Sequence, residues 1–222
     1  MVKMILHDWI AGRREGWKRV WGSSNNLIIP EIVFLGGIAG GYHGTFQYNV
    51  LYWCEIFLLV LQILLSIMYP NQLSKPMFLV PMENKDKKKY LFATFYLRLG
   101  IFSALHIGMT GIRVWAECIS IANAIIFFGA VTLLNIVMGL QNKGIDETSI
   151  SYKITTGVCL FNCFLFMGTM GDWQRWEYIL GAICYITQII LCVLLIKNEW
   201  KGSVRKAMNY ELIYVAKGNK FR

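Results

Sequence analysis

Residues 50–90 read VLYWCEIFLLVLQILLSIMYPNQLSKPMFLVPMENKDKKKY, and the fold turns on the break in the middle of that stretch. From 50 to 68 Glu55 is the one charged residue, and the run is about as long as a helix needs to cross a hydrocarbon core roughly 30 Å thick. Polarity then rises abruptly through Tyr69-Pro70-Asn71, and Lys75, Lys85, Lys87, Lys88 and Lys89 follow. An apolar run that ends in clustered lysines reads as a membrane span stopping at the cytoplasmic face.

The same reading extends outward in both directions. Further apolar runs lie at roughly 27–43, 91–110, 119–140, 154–171 and 178–196, which makes six spans. If the N-terminus is cytoplasmic, all but three of the 22 Lys and Arg residues fall on inner segments. The exceptions are Arg113 and Arg175, assigned to outer loops, and Arg98, inside the third span. That asymmetry orients the chain and accounts for the net charge of +9 without nucleic acid as a partner. Anionic lipid headgroups are the partner it implies. The tryptophans agree, with Trp53, Trp115, Trp173 and Trp176 at the outer boundary and Trp9, Trp17, Trp21 and Trp200 at the inner one.

The chain has 222 residues, is 56% hydrophobic and has a mean hydropathy of +0.46. Six spans leave no room for a soluble catalytic domain. The expected fold is therefore all-α and membrane-embedded, with six transmembrane helices and both ends cytoplasmic. It forms a single transmembrane domain over 1–222. Residues 1–24 carry a loose apolar and Trp stripe opposite basic residues, which suits an interfacial helix rather than a cleaved signal. Residues 69–90 form an inner loop, and 197–222 a basic inner tail.

Enzyme signatures do not appear in the sequence: there is no zinc-binding H-E-x-x-H, no nucleophile elbow and no phosphate-cradling P-loop. The chain is expected to be non-catalytic and to carry no cofactor. Cys159 and Cys163 share a helix face and read as soft packing residues rather than half of a metal site.

Ionisable residues inside a membrane are costly, which makes Glu31, Glu55, Arg98 and His106 the intramembrane candidates. Arg98 is able to snorkel toward the inner headgroups. Glu55 has the outer interface within reach, and His106 reads as a hydrogen-bonded packing residue. Gly36 and Gly40 in the first span and Gly44 just past its end recur every four residues and make a flat strip for close helix packing.

The inner loop is the most specific segment. After the apolar patch 77–80 come Pro81, Met82, Glu83, Asn84, Lys85, Asp86, Lys87, Lys88, Lys89 and Tyr90. Pro81 stiffens the approach to a charged helical turn, and the mixture of apolar and charged residues reads as a docking surface.

Six spans, cytoplasmic ends, an N-terminal interfacial helix and this Pro-led turn resemble the type-2 ABC exporter permeases. The likeness is to the small ones of Gram-positive bacteria that export peptides, bacteriocins or drugs. Val80-Pro81-Met82-Glu83 followed by Asn84-Lys85-Asp86-Lys87 matches the pattern of that family's loop, except that Glu83 replaces the usual hydroxyl cap, leaving Asn84 to cap the helix. The resemblance implies a coupling helix at residues 81–90, a separate ABC ATPase subunit that binds ATP and Mg, a second permease chain, and a bacterial plasma membrane location. The rival expectations are an ATP-independent carrier or channel, and a membrane-embedded enzyme or assembly factor.

Overall fold

The computed structural model describes residues 46–73, 75–79, 82–140, 149–168 and 175–209. Among them the regular structure is entirely helical: α1 (Phe46–Met68), α2 (Lys75–Leu79), α3 (Asn84–Trp115), α4 (Ile121–Gly139), α5 (Ile150–Gly168) and α6 (Arg175–Ala207). All but α2 are long and apolar enough to cross a membrane, giving five candidate spans among the described residues. They correspond to the second through sixth runs read from the sequence. The first run at 27–43, with Glu31, Gly36, Gly40 and Gly44, and the N-terminal segment 1–24 lie outside the described residues, as does Pro81.

The centre of the bundle is α4, which packs against α1, α3, α5 and α6. Its sequence explains the position, since it carries no charge and its inward face is Phe127, Ala130, Val131, Leu134 and Val137, all fully buried. Neighbours approach it closely where it has no side chain. A Cβ on Gly129 would lie 2.2 Å from the Tyr185 hydroxyl, and one on Gly139 would lie 2.2 Å from the Phe95 ring. Outer helix faces remain apolar. On α6, Ile179, Ile183, Ile186, Ile190 and Val193 are all exposed, a lipid-facing stripe rather than a solvated one.

α3 is longer than the sequence reading allowed. The span read at 91–110 is the middle of a 32-residue helix that begins at Asn84. Lysines are good helix formers, so nothing in 84–90 interrupts the helix before the apolar stretch begins. At the other end it runs to Trp115, which corrects the placing of Arg113 in an outer loop: Arg113 is inside the last turn and 0% exposed. The helix stops in a Schellman turn, with Cys118 N–H donating to Arg113 O at 2.9 Å and Glu117 N–H to Val114 O at 3.0 Å. Glu117 takes φ 56 there, where glycine is usual. Ser120 then starts α4, its side chain accepting from the Asn123 N–H at 3.2 Å.

Candidate functional site

Two places in the bundle hold the residues singled out from the sequence. The first is the end where α1 finishes and α3 begins. Pro70 helps turn the chain after α1, and α2 follows at once. Leu73 and Met77 bury against Tyr90, Leu91 and Ala207, and Leu73 N–H donates to Ala207 O at 3.2 Å. The last turn of α6 is thereby fixed beside the first turns of α3. Arg98 reaches the same end, its Nη1 donating to Tyr69 O at 3.0 Å. The guanidinium is buried and caps the end of α1, a use of cationic charge that helix C-termini favour.

What this end leaves outside is the charged start of α3. Glu83, Asn84, Lys85, Lys88 and Lys89 are exposed, whereas Met82, Asp86 and Lys87 are half-buried. Leu79 of α2, 87% exposed, lies just before them in the chain. The N-cap position is Glu83, in extended geometry and without a side-chain cap hydrogen bond. This corrects the assignment of capping to Asn84, which is the first helical residue. Asp86 N–H and Lys87 N–H each donate to Glu83 O at 3.0 Å, so the helix is closed by backbone alone. Asp86 in the first turn meets the helix dipole and pairs with Lys89 at 3.3 Å. Lys87 Nζ lies 5.9 Å from the Phe78 ring centre, tying α3 back to α2. Tyr90 is buried in the cluster and belongs to the core rather than to the exposed surface.

The second place is inside the bundle. Glu55 of α1 and His106 of α3 are both 0% exposed, and His106 Nδ1 meets Glu55 Oε1 at 2.6 Å. The outer interface, within reach of Glu55 on sequence grounds, is not where it goes. The other ring nitrogen, Nε2, meets Gln62 Oε1 at 2.8 Å. Gln62 escaped the sequence reading because it is uncharged. Its spacing of seven from Glu55 puts both on one face of α1, which was the available signal. The Phe127 ring of α4 packs against His106 at 6.4 Å and under the Arg113 guanidinium at 5.9 Å. Arg113 Nη2 donates to Met167 O at 2.8 Å, near the end of α5.

A third polar group ties the remaining helices. Asn162 Nδ2 donates to Cys184 O at 2.9 Å and to Gln188 Oε1 at 3.0 Å, and Gln188 Nε2 donates to Ala130 O at 3.0 Å. Cys159 and Cys163 are fully buried nearby, with Cys159 Sγ 3.6 Å from Cys192 Sγ.

The described residues define a helical, membrane-embedded bundle held together by apolar packing and a few buried polar contacts. Comparison with known protein families, with curated proteins and with solved structures finds no match for this chain.

Proposed function

We propose that this chain is the permease subunit of an ATP-driven exporter of the type-2 ABC class, with both ends in the cytoplasm of a bacterial cell. The observation that supports this reading most is the continuity of α3. Its exposed charged turns and its membrane-crossing stretch are one unbroken helix of 32 residues. A force applied at Lys85 and Lys88 is therefore delivered into the span without passing through a loop. In this reading a separate ATPase subunit binds ATP and Mg and seats residues 82–89 in a groove. Its closure tilts α3, and α6 follows because Leu73, Tyr90 and Ala207 bind the two together. A second permease chain completes the pathway. The substrate is a peptide or amphipathic compound entering from the cytoplasm or the inner leaflet.

The test first asks whether an ATPase with Walker motifs is encoded beside this chain and co-purifies with it, and then uses that complex. Lys87→Pro removes the N–H bonded to Glu83 O and breaks the first turn. Lys85→Glu and Lys88→Glu reverse exposed charges. Loss of partner pull-down and of coupled transport, with membrane insertion intact, is the expected result. Unchanged pull-down, ATPase rate and transport in all three variants would overturn it. A second reading, an ATP-independent carrier, draws on the buried Glu55–His106 pair. Transport by the chain reconstituted alone would favour it.

A further inference from the structure

The proposed docking of an ATPase gives Glu55, His106 and Gln62 no task, yet they form a connected, fully buried polar group. His106 stands between two oxygens, Glu55 Oε1 and Gln62 Oε1. The carboxylate accepts at Nδ1, and the Gln62 amide can face Nε2 with its oxygen when that nitrogen carries a proton or with its N–H when it does not, so the roles at the ring follow its protonation state. An imidazolium beside a carboxylate is a buried ion pair, neutral as a whole. The second observation is on Gln62, whose Nε2 is buried without a hydrogen bond, as is Glu55 Oε2. Buried polar atoms left open in this way call for an explanation. Here the open amide nitrogen supplies one. Turned end for end, the Gln62 amide offers N–H to a ring nitrogen that has given up its proton. The same three side chains then satisfy the ring in either protonation state, a provision that a packing histidine does not need.

We infer that Glu55, His106 and Gln62 form an exchangeable proton-binding site within the bundle. Loading transfers one proton from hydronium to His106 Nε2 and leaves water; unloading reverses this, and the Gln62 amide turns over each time. Other groups near the site do not compete for this role. Arg113 of α3, across the Phe127 ring from His106, donates to Met167 O. Tyr52 is one turn earlier on α1 and buried. Cys163 of α5 is within electrostatic range of Glu55. The helix at the centre, α4, brings the apolar Phe127 and no titratable residue.

The experiment needs no ATPase, so its outcome is separate from that of the docking test. Histidine is labelled with nitrogen-15 in the full chain in lipid nanodiscs, with His7→Gln and His43→Gln leaving His106 as the one histidine. Ring nitrogen shifts are followed from about pH 5 to about pH 9. The expected result is a change from a doubly to a singly protonated ring, with the Gln62 side-chain amide resonances moving over the same interval. In Gln62→Glu a carboxylate has no N–H to offer, and the ring is expected to stay doubly protonated throughout. One protonation state at every pH in the parent chain overturns the site. So does a ring transition during which the Gln62 amide resonances stay fixed, a readout that does not depend on any Gln62 variant folding.

Discussion

Glu117 is a residue whose conformation its own side chain opposes. It holds φ 56 at the position after the α3 C-cap, where the left-handed backbone suits glycine. Glu117→Gly is expected to stabilise the protein by about 1 kcal/mol, read as a higher melting temperature in detergent. The reverse case is Gly139, whose missing Cβ makes room for Phe95, itself stacked edge-on against Trp200 at 5.8 Å. Gly139→Ala overpacks that contact and is expected to cost about 1–3 kcal/mol in the same melt. Gly108→Ala meets nothing within 4 Å and serves as the control, where the added Cβ overpacks nothing and the helix gains up to about 1 kcal/mol of propensity. At this scale the sequence was partly legible. Glu55, Arg98 and His106 stood out because charge is rare in an apolar run. That Glu55 meets His106 was not legible, because the pair is 51 residues apart and no local period connects them.

Among the described residues, three helix ends are closed by side chains from other helices. Arg98 of α3 donates to Tyr69 O after α1, Ser203 of α6 donates to Leu140 O after α4, and Arg113 of α3 donates to Met167 O near the end of α5. Each helix C-terminus exposes carbonyls that lipid does not satisfy, so the caps do work that water does in soluble proteins. Within the elements, Asn162 and Gln188 join α5 to α6 and reach α4 through Ala130 O. Asn162→Leu leaves the Gln188 oxygen without its donor and is expected to destabilise by about 0.6–1.7 kcal/mol, the range of interhelical hydrogen bonds in membranes. The double variant with Gln188→Leu is expected to fall short of the sum of the two single losses, which a double-mutant cycle in mixed micelles measures. Hydropathy located the interiors of all five described spans and the end of α1 at Met68, but not the full length of α3 or α6. The runs at 91–110 and 178–196 are the apolar middles of Asn84–Trp115 and Arg175–Ala207. Lysine-rich turns at 84–90 and 197–206 are as helical as the rest, but they are polar and lower the signal that marks a span.

Across the whole molecule, the first turns of α3 and the last turn of α6 share one end, while Glu117 lies at the opposite end of α3. In a background without native cysteines, Lys85→Cys and Lys201→Cys are expected to react with an impermeant maleimide only after the cells are opened. Glu117→Cys is expected to react in intact cells. Labelling of Lys85→Cys from outside would reverse the orientation read from the charges. That orientation is an expectation carried by a statistical bias of lysines and arginines, whereas the way the helices pack needed the glycines at 129 and 139 and the buried amides. The lengths of the two longest described helices have a consequence at the membrane surface. At about 1.5 Å per residue, α3 and α6 each extend close to 50 Å, well beyond a hydrocarbon layer of about 30 Å. Joined at one end through the cluster that holds Tyr90 and Ala207, they carry their polar turns past the hydrocarbon side by side. A label on either set of turns therefore reports on the same face of the membrane as a label on the other.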